Sequence, residues 1–282
     1  MILQAVGLLS PGDMGHAVGR VMVDNGMKVI TCLEGRSEWT RNLAGKAGIG
    51  EVPTYQQLVR EVDILLSILV PAKAKNAAIL VSQALKETGD QIIYVDCNAV
   101  APTTVKDIRE ILVDTGSRFV DARIIGGLPS PGGSTRIYAS GTDAEELEQL
   151  KDFGLDIRIA GKDIGQASGL KMVYAALTKG TSALSLELLV AGWRMGLYDT
   201  LMEEWEISQK GRYDSLSRSL QDVPSKSRRW IGEMEEIAKI FEGVADLYRF
   251  IGDNQVGDET PETIDRKRTL EQLIQVLAED SQ

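Results

Sequence analysis

Between residues 4 and 160, short β-rich runs alternate with helical patterns, and after Ile164 the strand signal stops. That change of period constrains the fold more than any single motif. Runs at Gln4–Leu9, Lys28–Leu33, Ile64–Leu69, Ile92–Asp96, Phe119–Ile125, Arg136–Ser140 and Asp156–Ala160 read as strands. Met14–Asn25, Pro71–Leu85 and Pro102–Leu112 read as helices between them. Such alternation predicts a mostly parallel sheet covered on both faces. The close spacing of strands from Phe119 to Ala160 predicts an added, hairpin-rich edge. Residues 164–195 read as one helix, about 45 Å long at 1.5 Å per residue. Further helical patterns follow at 198–209, 213–221, 226–242 and 263–279, with Gly252–Pro261 as a polar loop. The expected organisation is an α/β domain over residues 1–163 and an all-α domain over residues 164–282.

The first strand runs into Ser10-Pro11-Gly12-Asp13-Met14-Gly15, which opens the first helix. A dinucleotide fingerprint needs glycines for the tight turn, for backbone approach to the pyrophosphate and for close helix packing. Gly12 and Gly15 take the second and third places, and Ser10 stands in the first. Free N–H groups at the helix start would face the pyrophosphate. The α/β domain is therefore expected to be of the Rossmann type. The end of the second strand carries two conflicting signals. Glu34 stands where an acid would bond the ribose 2′-OH of NAD. Gly35-Arg36-Ser37 follow, and a guanidinium with a hydroxyl could grip the 2′-phosphate of NADP.

Composition excludes several other chemistries. The chain has one histidine, His16, and two cysteines, Cys32 and Cys97, far apart. No multi-histidine or Cys/His metal site can be built from these. A net charge of −10 argues against nucleic acid as a partner. The most apolar stretch, residues 170–193, contains Lys171, Lys179 and Glu187, which argues against a bilayer span. With no secretory signal and few cysteines, a reducing, cytoplasmic location is expected.

On the long helix Lys171, Tyr174, Thr178 and Ser182 follow i, i+3, i+7, i+11 spacing and form one polar stripe. A stripe on an otherwise apolar helix must face water, a partner or a cavity. The cofactor domain ends just before it, so the stripe can face the cleft. A partly desolvated lysine there releases its proton more readily and can serve as a general acid or base for hydride transfer. The loop beginning Gly126-Gly127, rich in backbone N–H groups, could hold a substrate carboxylate. His16 reads as a capping or packing residue. Lys179 reads as a surface or interface residue, and the charge run Arg228–Glu236 as a solvated face. Leu184, Leu188 and Trp193 are expected to be buried against a second subunit, in a two-fold dimer.

The glycine loop, Leu69-Val70-Pro71, Asp96-Cys97-Asn98-Ala99-Val100-Ala101-Pro102, Gly126-Gly127 and Gly165–Lys171 occur in one order. Together they resemble the β-hydroxyacid dehydrogenase superfamily, which holds 6-phosphogluconate and 3-hydroxyisobutyrate dehydrogenases. Leu33–Ser37, Leu170–Gly180 and Gly232–Ala238 are similar to its phosphogluconate-dehydrogenase-like branch with a short helical C-terminal domain. The resemblance implies an NADP-dependent oxidoreductase acting on a small 3-hydroxy acid or its keto partner, with Lys171 catalytic and a homodimeric assembly. It implies that Glu34–Ser37 select NADP, and that Leu69, Val70, Pro71 and Asn98 line the nicotinamide ribose and ring. Asn98, Ile125, Gly126, Gly127, Tyr174 and Thr178 would line the substrate. Three positions depart from the family pattern. Ile125 replaces the usual serine, Ala175 replaces the usual asparagine, and Gly232 lies near the place of a second lysine. Imine reductases share the architecture but usually carry Asp or Tyr where this chain has Lys171. A non-catalytic NADP(H)-binding protein is the remaining alternative.

Overall fold

Central strands that pack helices on both faces must be apolar at nearly every position. The computed structural model describes residues 3–129 and 135–239, and in it that rule sets the sheet. The strands are β1 (Ala5–Leu9), β2 (Lys28–Cys32), β3 (Gly50–Val52), β4 (Ile64–Ser67), β5 (Ile93–Asp96), β6 (Arg118–Ile125), β7 (Arg136–Ser140) and β8 (Ile157–Gly161). β1, β4 and β5 are buried along their whole length. The sheet order is β3-β2-β1-β4-β5-β6-β7-β8. Every pairing is parallel except β6 with β7. The order from β3 to β6 is that of a Rossmann sheet, and it reverses direction between β1 and β4.

The helices between them are α1 (Asp13–Asp24), α2 (Glu38–Lys46), α3 (Tyr55–Glu61), α4 (Pro71–Thr88) and α5 (Pro102–Leu112). Proline opens α4 and α5, where its missing N–H costs nothing. Alternate strand residues feed two cores. Val6, Leu8, Ile64 and Leu66 pack with Val18 and Met22 of α1. Leu9, Leu65 and Tyr94 pack with Leu58, Ala78, Val81 and Val105 of α3, α4 and α5. β3 carries no apolar run, with two of its three residues exposed, and sequence pattern alone did not reveal it.

The long helix, α6, runs Gln166–Arg194. The chain divides into compact units Met1–Met172 and Val173–Gln282. The division falls inside α6, whose first turns are bonded to β6. In the second unit α7 (Tyr198–Ser208), α8 (Lys210–Ser219) and α9 (Val223–Ala238) follow. Met234 and Ile237 of α9 are buried. The expected loop Gly252–Pro261 and helix 263–279 lie outside the described residues.

Two expectations for this unit are corrected. Lys179, expected at a surface or an interface, is largely buried within the unit: its Nζ lies 2.7 Å from Glu233 Oε1, both side chains are 12% exposed, and it sits 5.3 Å from the Trp230 ring centroid. The Arg228–Glu236 run is accordingly not a uniformly solvated face, since Glu233 turns inward to meet that lysine.

Candidate active site

The site begins where β1 ends, at the point where the sheet order reverses. Open α/β sheets bind ligands there, outside the carboxyl ends of the strands. Ser10 adopts φ +64°, the left-handed conformation that a first glycine would supply. Gly12 N donates to Ser10 O at 2.8 Å and closes the turn. A Cβ on Gly15 would stand 2.6 Å from Ser10 O, so only glycine lets α1 start this close to the loop. Gly12 is the N-cap of α1 and makes no side-chain cap bond. A Cβ placed there meets no atom within 4 Å, so open space lies over the helix start. Pro11 is buried, Asp13 is exposed, and Met14 packs against the core. His16 Nδ1 lies 2.8 Å from Gly12 O, so this histidine fastens the loop. An open helix N-terminus held by a rigid turn fits a dinucleotide pyrophosphate.

At the end of β2 the chain turns through Glu34 and Gly35, with Arg36 N donating to Leu33 O at 3.0 Å. Glu34 is exposed. Ser37 caps α2, its Oγ accepting from Thr40 N at 3.3 Å, so that hydroxyl already has a structural task. The turn is anchored by Arg41, whose Nη2 donates to Leu33 O at 2.6 Å. Arg36 Nε is shielded from water and has no hydrogen-bond partner among the described residues. A shielded guanidinium donor in that state at the end of β2 fits an anion.

The next strand ends are tied together by Asn98. The resemblance placed its side chain against the cofactor and substrate, but it is 1% exposed and fully engaged. Its Oδ1 accepts from Leu69 N at 2.6 Å, and its Nδ2 donates to Ser67 Oγ at 3.0 Å and Asp96 Oδ2 at 2.8 Å. Asn98 therefore sets the path of the Leu69-Val70-Pro71 segment. Val70 presents its side chain outward, 49% exposed.

Asp96 leads to a charged network that sequence reasoning missed. Asp96, Asp121 and Arg123 are all completely buried. Arg123 Nη1 donates to Asp96 Oδ1 at 2.9 Å and Asp96 O at 2.7 Å, and lies 3.1 Å from Asp121 Oδ1. Arg123 Nη2 donates to Ser168 Oγ, which donates in turn to Asp121 Oδ1 at 2.8 Å. Gly165 N and Ser168 N donate to Asp121 Oδ2 at 2.9 and 3.1 Å. The start of α6 is thus bolted to β6. Burial pushes the Asp96 carboxyl up from its ordinary value, while Arg123 and the Asn98 hydrogen bond pull it back down. The signal that could have revealed this network is two charges two apart in an apolar strand, which places both on one face.

Lys171 follows Ser168 by one turn of α6 and is half-buried. Of the expected stripe, Tyr174 is 45% exposed. Thr178 Oγ1 donates back to the carbonyls of Tyr174 and Ala175, each at 3.2 Å. Ser182 is buried, bonded to Thr178 O at 3.1 Å and close to Ser219. The stripe is therefore not continuous, because short hydroxyls satisfy themselves on the preceding turn. Ile125 is 4% exposed at the end of β6. Gly126 follows with φ +126°, and Gly127 is exposed. Among the described residues no cluster could hold a metal, and no helix is long and apolar enough to cross a membrane.

The profile of the NAD binding domain of 6-phosphogluconate dehydrogenase matches residues 5–154. The chain belongs to the β-hydroxyacid dehydrogenase superfamily. Its first unit carries an NAD(P)-binding domain, and the superfamily is one of dehydrogenases acting on hydroxyl groups. A second profile, a domain of unknown function, matches residues 193–263. An uncharacterized 28.5 kDa protein of Methanothermus fervidus is 29% identical over 87% of this chain and 90% of its own. A conserved protein of unknown function, described as structurally similar to 3-hydroxyacid dehydrogenases, is 30% identical with a TM-score of 0.66. That match covers 97% of this chain and 98% of the other. The mitochondrial 3-hydroxyisobutyrate dehydrogenase of Drosophila melanogaster is 25% identical over 68% of this chain and 57% of its own.

Proposed function

We propose that the chain is an NADP-dependent oxidoreductase that moves hydride between nicotinamide and a small 3-hydroxy acid or its keto partner, with Lys171 as general acid/base. The observation that carries the reading is the hydrogen-bonded path from Ser168 through Arg123 and Asp96 to Asn98 and Leu69. It links the turn of α6 preceding Lys171 to the strand ends where a dinucleotide binds. Proton and hydride transfer need their partners held to within fractions of an ångström, and a rigid buried path supplies that.

The backbone of Ser10–Met14 at the start of α1 holds the pyrophosphate, and the guanidinium of Arg36, whose Nε has no partner among the described residues, meets the 2′-phosphate. Glu34 and Gly35 shape that turn, and Ser37 caps the helix behind it. Leu69, Val70 and Pro71 border the nicotinamide. When bound, NADP supplies the hydride-accepting carbon. Lys171 Nζ takes the proton from the substrate hydroxyl on oxidation and returns it to the carbonyl oxygen on reduction. Gly126 and Gly127 offer backbone N–H groups to the substrate, and Tyr174 extends the same helix surface beyond Lys171.

The protein is also proposed to be a cytoplasmic homodimer. Cys32 and Cys97 are both free and buried, as suits a reducing compartment. Leu184, Leu188 and Trp193 are 57%, 46% and 45% exposed in the single chain, an apolar set that suits a self-complementary interface.

The test is a panel of 3-hydroxy acids with NADP and NAD, followed by absorbance of the reduced nicotinamide. Lys171→Met is expected to retain NADP binding and to lose turnover by about 10²–10⁴. A variant keeping more than about a third of wild-type turnover, where chemistry limits the rate, sinks the assignment of Lys171.

A further inference from the structure

Arg136 opens β7 directly opposite Ile125, the last residue of β6. Its Nε is shielded from water and has no hydrogen-bond partner, and its guanidinium makes no salt bridge, among the described residues. Buried polar groups in native proteins are paired. A guanidinium is a fork of donors with no acceptor, so its missing partner is an acceptor, and a negatively charged one by preference.

Register shows on which face of the sheet this arginine stands. Across the antiparallel pair Asp121 faces Ser140, Arg123 faces Tyr138 and Ile125 faces Arg136. Ser140 Oγ donates to Asp121 Oδ2 at 3.1 Å and accepts from Ala167 N at 3.0 Å, so these side chains lie on the face where α6 begins. The intervening residues Val120, Ala122, Ile124, Ile137 and Ala139 fill the core on the other face. Successive side chains alternate between faces, so Ile125 and Arg136 share the α6 side. Gly165 bonds Asp121, and Ser168 bonds both Asp121 and Arg123, so α6 advances along β6 toward Ile125. Lys171 comes one turn later, about 4.5 Å further along the axis. Asp121 is level with Asp96, the last residue of β5, so Ile125 and Arg136 lie beyond that strand's carboxyl end. The nearby carboxylate on which Arg136 acts is already engaged by another arginine. Asp156 is bound by Arg158 Nε and Nη2 at 3.1 and 2.9 Å. Those bonds are the main reason its carboxyl is held low, and Arg136 adds a smaller through-space pull.

We propose that Arg136 is a substrate-binding residue whose guanidinium grips an oxyanion of the substrate, carboxylate or phosphonate, beside the backbone of Gly126. The inference rests on the oxidoreductase reading, since it places the anion next to the proton-transfer site at Lys171. It assigns the oxyanion of that acid to one side chain, a fork to which a neutral alcohol or cyclic imine offers nothing.

The experiment is calorimetric titration of NADP-saturated protein with 3-hydroxypropionate, malonate and methylphosphonate. Wild type, Arg136→Gln, Arg136→Lys and Lys171→Met are compared, each first checked for unchanged melting temperature and NADP affinity. Arg136→Gln is expected to weaken the tightest of the three anions by about 10- to 100-fold, the loss of a charged hydrogen-bond pair. Arg136→Lys should restore part of that loss, and Lys171→Met should weaken binding less than Arg136→Gln does. Preference for the carboxylates or for methylphosphonate identifies the acid. Equal binding by wild type and Arg136→Gln, or no binding of any anion by wild type, overturns the proposal. Turnover of neutral alcohols alongside either result leaves the oxidoreductase reading standing. Arg136-dependent binding without turnover on any substrate keeps the anion site and overturns that reading instead.

Discussion

Arg123 is the residue whose removal should disturb the first unit most. Its side chain is completely buried between two carboxylates that are themselves completely buried. Arg123→Met keeps much of the volume but removes the donors to Asp96 Oδ1, Asp96 O and Ser168 Oγ. Asp96 and Asp121 are then left without a counter-charge. Breaking a buried pair from one side costs about 3–5 kcal/mol. In a chain of this size each kcal/mol moves the melting temperature by about 2–4 °C, so a fall of roughly 6–20 °C is expected. The loss should depend on pH. Burial raises the Asp96 pKa in the folded state and Arg123 opposes that rise, so the variant's Asp96 stands higher still. A carboxyl raised by folding holds its proton more tightly in the native state. Its contribution is fully present at low pH and is lost as pH rises through the folded value. The variant's deficit should therefore be larger near pH 8 than near pH 5. Urea unfolding at both values, with thermal melts, reads this directly. A melting temperature within about 2 °C of wild type, or a deficit that grows on acidification, would refute the account of this network.

Arg36→Ala should weaken NADP by about 10- to 100-fold and leave NAD nearly unchanged; equal losses in fluorescence titrations would remove Arg36 from the 2′-phosphate. Gly15→Ala drives a Cβ to 2.6 Å from Ser10 O, so the loop must shift. Dinucleotide affinity should fall by roughly tenfold or more, with a melting temperature lowered by overpacking, while wild-type affinity would show that the loop is not the pyrophosphate site. Sedimentation at micromolar concentration should report a dimer for wild type and a monomer for Leu184→Glu combined with Leu188→Glu. A fully active wild-type monomer would end the dimer proposal.

The strands that pack on both faces could be read from composition because burial on two sides leaves little choice but Val, Ile, Leu and Ala. β1, β4 and β5 are of this kind, and they fall within about two residues of their expected bounds, as do β2, β6, β7, β8, α1 and α5. The long helix could also be read, since α6 runs Gln166–Arg194 against an expected 164–195. The glycine loop was legible for the same local reason: a tight turn and a close helix start restrict residue types within six positions. β3 was not legible, because a short edge strand buries little and carries no apolar signature.

What lay beyond the sequence was every relation between residues far apart in the chain. Asn98 reads as a cofactor contact in the sequence, and only the fold shows that it also braces Leu69, since the partners of an amide depend on what folds over it. Lys179 looked like a surface charge until α9 brought Glu233 and Trp230 against it. Asp121 and Arg123 are ordinary letters in a strand; only the packing of α6 makes them a buried lock with Ser168, 45 positions further along. Period and local sterics act over a few residues and leave their mark on composition. Burial and pairing of charge act through space, and only the folded chain determines which groups lose water and which partner replaces it.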